Sequence, residues 1–154
     1  MYSRLFKLVF LLTLTGCVST PYDEPISNNV ATIKFSNQGR GDAEIFIYKD
    51  AQFCTGKQNA GKVDRLSYKE LTLLGGEKQS FTFGYGFDDY NGVKSCSITA
   101  TFTPKINGVY EVLMVSSYKG CVAYLYEFNN GKKISIEGEQ RDYSSPVASD
   151  DWCE

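Results

Sequence analysis

From Val30 onward apolar and polar residues alternate along the chain, and almost nowhere do apolar residues return at helical spacing. Cys96, Ile98, Ala100 and Phe102 share one parity while Ser95, Ser97, Thr99, Thr101 and Thr103 share the other. Successive strand side chains point to opposite faces, so this stretch reads as a half-buried strand with an apolar and a polar side. The same reasoning predicts strands over 30–36, 43–50, 67–74, 78–87, 109–118, 121–128 and 132–137, all rich in β-branched or aromatic residues. Gly39 and Gly41, Gly75-Gly76, Asn91-Gly92, Asn107-Gly108 and Asn129-Asn130-Gly131 punctuate them, residue types that tolerate the positive φ of tight turns.

Short strands with turn signals and no helical stretch predict an all-β fold: one antiparallel β-sandwich domain of about 7–8 strands rather than a closed barrel. Two aromatic rows share a parity, Phe81, Phe83, Tyr85 and Phe87 on one strand and Val122, Tyr124, Tyr126 and Phe128 on another. Both are expected in the core of the sandwich. A row turned outward would instead form an aromatic patch suited to a protein partner or a sugar ring.

Ahead of Val30 the pattern changes. Residues 18–29 hold Pro21 and Pro25 and little apolar material, and read as a flexible tether. The first sixteen residues carry Arg4 and Lys7, an apolar run from Leu8 to Leu14 broken by Thr13, and then small Thr15 and Gly16 before Cys17. A charged start, a short apolar middle and a small-residue exit are the parts of a secretion signal. The apolar middle spans roughly half of the ~20 residues a membrane-crossing helix needs. The expected organisation is therefore a signal over 1–16, a tether over 17–29 and a domain over 30–154.

Leu14, Thr15, Gly16 and Cys17 resemble the lipobox of bacterial lipoproteins, the alternative being an ordinary secretion signal that ends near a cysteine. The resemblance implies cleavage before Cys17 and diacylglycerol on its sulfur. Two or three acyl chains make a durable membrane anchor where one binds only reversibly. Val18 stands where an Asp often marks inner-membrane retention in such proteins, which favours the outer membrane. The run from Phe102 through Pro104, Asn107 and Gly108 to Tyr110, with the spaced cysteines, is similar to small Gram-negative lipoproteins carrying a β-sandwich domain. That resemblance supports fold and address and brings no activity with it.

With Cys17 assigned to lipid, Cys54, Cys96, Cys121 and Cys153 remain, an even number in an exported chain, and predict two disulfides. Three connectivities exist. Cys54–Cys96 with Cys121–Cys153 is the expected one, because the second bridge would pin the C-terminal tail. No two of these cysteines have the close spacing of zinc ligands.

Charge and chemistry narrow the function classes. Sixteen Lys and Arg face eighteen Asp and Glu, a net charge of −2, and losing Arg4 and Lys7 with the signal takes it to −4. Mild acidity without clustered Lys and Arg argues against a nucleic-acid partner. The chain has no His, so the usual triads and most catalytic zinc sites lack their base or ligand. Gly39-Arg40-Gly41 and Gly84-Tyr85-Gly86 lack the Lys and Ser/Thr of a phosphate loop, so no nucleotide is expected. Arg40-Gly41-Asp42 spells an adhesion tripeptide that recurs by chance. Asp88-Asp89-Tyr90-Asn91-Gly92 lacks the spacing of a calcium loop and reads as a polar turn; with Tyr85, the residues Asp88, Asp89 and Tyr90 form the candidate ligand loop. No enzyme, metal or cofactor is expected. The leading expectation is a non-catalytic outer-membrane lipoprotein that binds an envelope protein. The alternatives are a glycan or peptidoglycan binder and an inhibitor of a host or rival hydrolase.

Overall fold

In the computed structural model, which describes residues 20–89, 92–117 and 120–142, the alternation becomes eleven strands; for 87–89, 92–94 and 117 it describes the backbone alone. They are β1 (Thr20–Pro21), β2 (Val30–Gln38), β3 (Ala43–Asp50), β4 (Thr55–Val63), β5 (Ser67–Leu74), β6 (Gln79–Asp89), β7 (Gly92–Phe102), β8 (Val109–Ser117), β9 (Gly120–Asn129), β10 (Lys132–Ile136) and β11 (Glu139–Arg141). Six form one sheet in the order β1-β4-β3-β6-β7-β11, and five form the other in the order β10-β9-β8-β2-β5. The sheets pack face to face as a β-sandwich. They are mixed rather than wholly antiparallel, because β1 pairs with β4 and β2 with β8 in parallel.

The inward parity of each strand fills the space between the sheets. Ile33 and Phe35 of β2, Ile45 and Ile47 of β3, Phe81 and Phe83 of β6 and Val112 and Met114 of β8 are buried there. Phe35 meets Phe81 and Phe83 edge-on with ring centres 5.2 and 5.3 Å apart, and Phe102 meets Tyr110 at 5.3 Å. Such pairs contribute roughly 0.5–1.5 kcal/mol each beyond the area they bury.

Besides the three-residue β11, two strand-forming segments carried no strand signal. β4 contains Gly56, Gly61 and five polar residues, a composition depleted in sheets, yet it pairs along β3 and buries Gln58, Ala60 and Val63. Its register slips by one residue where Ile45 faces Gly61 and Phe46 faces Asn59, leaving Ala60 as the extra residue of a bulge. Gly61 takes φ 101° there, which an L side chain resists. The other segment is the expected tether. Thr20 and Pro21 pair with Gln58 and Asn59, the Tyr22 amide donates to Asn59 O, and the Tyr22 hydroxyl donates to Thr72 O at 2.8 Å. Part of the expected tether is therefore docked on the sandwich, because the backbone of the β4 edge offers hydrogen bonds and the Tyr22 ring packs against the core.

Of the polar parity along β7, Ser95, Ser97 and Thr103 are exposed as expected, but Thr99 and Thr101 are not. Thr99 and Thr101 are buried on the outer side of their sheet, where Thr82 Oγ1 lies 2.7 Å from Thr99 Oγ1 and 2.8 Å from the Tyr48 hydroxyl, and Ser80 Oγ lies 2.5 Å from Thr101 Oγ1. Each hydroxyl both donates and accepts, so the row can be buried without an orphaned group.

The disulfide pairing differs from the expected one. Cys96 bonds Cys121, tying β7 to β9 across the sandwich, which excludes both expected bridges. The reason is parity: the two cysteines point inward from facing sheets, and their Cα atoms lie 5.8 Å apart. Cys54, fully buried beside Tyr48, is disulfide-bonded as well. Cys17 and Cys153 lie outside the described residues, as does the expected signal over 1–16.

Candidate functional site on the outer face of the five-stranded sheet

The alternation of β9 decides which side chains leave the core. Cys121, Ala123 and Leu125 face inward and pack on the core, so Val122, Tyr124, Tyr126 and Phe128 project outward. This overturns their expected burial: Val122 is 45% and Tyr124 46% exposed, and Tyr126 and Phe128 are half-buried. Tyr124 and Tyr126 lie side by side with ring centres 6.2 Å apart and planes tilted by 30°.

Pairing extends the row across the sheet. On β8, Val109 stands beside Phe128, Glu111 beside Tyr126, Leu113 beside Tyr124 and Val115 beside Val122. On β2, Lys34 stands beside Glu111 and Ser36 beside Leu113, and on β5 Tyr68 stands beside Ser36. The result is a broad face of aromatic and aliphatic side chains, with exposed Val109 and Tyr68 among them.

At its centre is one carboxylate. Glu111, 6% exposed, accepts from Ser36 Oγ at 2.6 Å and pairs with Lys34 Nζ at 3.0 Å and Lys133 Nζ at 2.7 Å. Burial alone pushes its carboxyl up, but the hydrogen bonds from Lys133, Ser36 and Lys34 outweigh burial and hold it down at about 2. The lysines also lie over aromatic rings, Lys133 Nζ at 4.0 Å from the Tyr126 centre and Lys34 Nζ at 5.5 Å from that of Tyr68. Those are cation–π distances. The charges of Glu111, Lys34 and Lys133 thus meet within the face, and exposed Tyr68, Val109, Val122 and Tyr124 stand around them. This arrangement suits recognition, since Glu111 is locked in ion pairs and the face presents rings to a partner.

The candidate loop residues fare differently. Tyr85 is 5% exposed and points into the core; its ring lies against Gly39 and Gly41, and its hydroxyl accepts from the Arg40 amide at 3.1 Å. It cannot belong to an open ligand loop, because a Cβ on Gly39 would already stand 2.5 Å from the ring. Asp88 and Asp89 continue β6, paired through the backbone with Val93 and Gly92, so they extend a hairpin rather than open a loop. Tyr90 lies outside the described residues. In Arg40-Gly41-Asp42, the Asp42 carboxylate holds Lys62 at 2.9 Å and accepts from the Arg65 amide at 3.1 Å, so the tripeptide belongs to the fold. Of the two aromatic rows, Phe81, Phe83 and Tyr85 are core as expected, while the side chain of Phe87 lies outside the described set.

Glu111 was not singled out by sequence reasoning. The available signal was a lone charge inside the apolar run Val109-Tyr110-Glu111-Val112-Leu113-Met114, a position that needs a cationic partner if it is buried. In comparisons with known proteins, no family model and no curated protein matches the chain.

Proposed function

We propose that this chain is a lipid-anchored, non-catalytic lipoprotein of the outer membrane that binds another envelope protein through the outer face of the five-stranded sheet. The observation that carries the reading is the outward row Val122, Tyr124, Tyr126 and Phe128, flanked by exposed Tyr68 and Val109. Val122 and Tyr124, with Tyr68 and Val109 elsewhere on the same sheet, leave large side chains exposed on one face, and exposed apolar groups gathered on one face mark interaction sites. Aromatic anchors are enriched at the centres of protein interfaces. The address rests on the charged and apolar start and on Leu14-Thr15-Gly16-Cys17, with Val18 after it.

The test is cross-linking of intact Gram-negative cells expressing the tagged full-length protein, followed by mass spectrometry. An envelope protein should co-purify with the wild type, and the yield should fall at least tenfold with Tyr124→Ser combined with Tyr68→Ser, both exposed and tolerant of change. Cys17→Ala should remove the protein from the outer-membrane fraction. Equal recovery of the partner with the double variant would remove the face from the proposal. Recovery of peptidoglycan fragments in place of protein would transfer the face to a glycan.

A further inference from the structure

Strand β9 is longer than the strand that covers it. β10 pairs with β9 from Asn129 to Leu125 and ends at Ile136, so residues 121–124 have β8 on one side and no strand on the other among the described residues. The direction of the unmatched backbone groups follows from the turn that joins the two strands. Asn130 and Gly131 form a two-residue turn with positive φ at both positions, and such a turn is closed by hydrogen bonding between its flanking residues, here Asn129 and Lys132. Bonding sides alternate along an antiparallel strand, so Glu127 and Leu125 also turn their N–H and C=O groups to β10, and Ala123 and Cys121 turn theirs to the same side beyond its end. Val122 and Tyr124 turn theirs to β8.

Exposed strand edges are normally blunted by charges, prolines, bulges or a covering group. β5, the opposite edge of this sheet, carries Lys69 and Glu70, and its Thr72 carbonyl accepts from the Tyr22 hydroxyl. Along 121–124 the residues are Cys, Val, Ala and Tyr, and their register with β8 is unbroken. In the other sheet, residues 95–98 of β7 also extend past β11, which reaches only Thr99, but they expose Ser95 and Ser97 where β9 exposes Val122 and Tyr124. Beside the β9 edge lies a half-open groove of about 340 Å³, lined by Ile98, Ala100 and Ala123 together with Ser97, Ser135 and Gln140.

A row of unmatched backbone donors and acceptors selects another extended backbone, which supplies the complementary groups at the same spacing. Side chains that stand opposite each other in a sheet share a face. A strand laid along β9 would therefore send the residues opposite Cys121 and Ala123 into the groove and those opposite Val122 and Tyr124 out beside the aromatic row. We infer that the open edge of β9 takes an extended peptide segment of a partner protein by strand addition, apolar at both parities and free of proline. The inference rests on the reading that the outer face of this sheet binds protein, and it names the form in which the partner arrives, as a strand that continues that face past Val122 and Tyr124.

The test selects binders from a random heptapeptide phage library on the full-length chain carrying Cys17→Ala, then measures the selected synthetic peptides by fluorescence anisotropy and amide hydrogen exchange. In the free protein the amides of Cys121 and Ala123 should exchange at least tenfold faster than those of Val122 and Tyr124, and a saturating peptide should slow them at least tenfold. Methylating one alternate set of peptide nitrogens should weaken binding at least tenfold while the other set leaves it unchanged. Ala123→Pro should weaken it equally, since it removes an N–H at the edge that β8 does not use. An equal effect of the two methylated sets would overturn strand addition whether or not Ala123→Pro folds, and so would a library that yields no binder. Protection of the Ala123 amide in the free protein would give the edge to the chain itself, and protection that rises with protein concentration would give it to a second copy; either overturns the inference. Peptides that lose binding with Tyr124→Ser and Tyr68→Ser but are indifferent to methylation would keep the partner face and remove the edge. Peptides that need the edge but not those tyrosines would keep strand addition and remove the face.

Discussion

A single carboxylate organises the outer face of the five-stranded sheet, and its chemistry can be read as a pH dependence. Glu111 is held at about 2 in the folded protein by Lys133, Ser36 and Lys34, against an ordinary value of 4.5. A carboxyl whose folded pKa is depressed stabilises the fold fully above its unfolded value and loses that contribution as pH falls toward the folded one. The window therefore runs from about 4.5 down to about 2. The contribution is of order 2 kcal/mol, set below the full shift at 1.36 kcal/mol per unit because Lys34 and Lys133 remain partly in water. Urea unfolding from pH 7 to pH 2 should show stability falling below about pH 4.5, and Glu111→Gln should flatten that fall while lowering stability at pH 7. If Glu111→Gln kept the wild-type slope, the lysines would not act through this carboxylate. Asn37 has a different role, holding the adjacent turn from a fully buried position: its Nδ2 donates to Gly41 O and Val63 O, and its Oδ1 accepts from the Gly39 amide.

Among the elements, the strands that sequence exposes are those whose apolar parity is unambiguous. β2, β3, β5 and β10 appear within two residues of their expected limits, and the Asn130-Gly131 turn joining β9 to β10 takes φ 50° and 75°, as its residue types predict. β4 was illegible because its place depends on backbone pairing with β3 and a glycine bulge, neither of which leaves apolar periodicity. β9 was legible as a strand but not in its facing, since both parities are apolar at Cys121, Val122, Ala123 and Tyr124. Size favoured the tyrosines for the core, and the disulfide decided otherwise: once Cys121 must meet inward Cys96, Ala123 and Leu125 turn inward and the aromatic row turns out. The same bridge should stabilise the fold by constraining the unfolded chain over a separation of 25 residues, which corresponds to roughly 3 kcal/mol. Replacing both Cys96 and Cys121 by Ala should lower the unfolding free energy by about that amount. A loss under about 1 kcal/mol would mean that packing alone holds β7 against β9.

On the scale of the whole molecule, the docking of Thr20 and Pro21 on β4 changes what the proposed anchor would do. From Cys17 to Thr20 there are three residue steps, which can span no more than about 10 Å, against about 40 Å for a tether running to Val30. A lipid on Cys17 would thus hold the β1–β4 edge at the membrane surface, while β11 closes the opposite edge of the same sheet. The cysteines allow this arrangement to be tested without locating the protein in a cell. Cys96 and Cys121 are joined, Cys54 is disulfide-bonded, and the two other cysteines of the sequence are Cys17 and Cys153. A thioether to diacylglycerol consumes the sulfur of Cys17, which leaves Cys153 for Cys54. Proteolysis of the purified protein under non-reducing conditions should then yield Cys54 and Cys153 in one disulfide-linked peptide, with Cys17 in an acylated one. A Cys17–Cys54 peptide would sink the lipid anchor, since one sulfur cannot carry both bonds, and it would place the N-terminal segment beside Tyr48 instead of at a membrane.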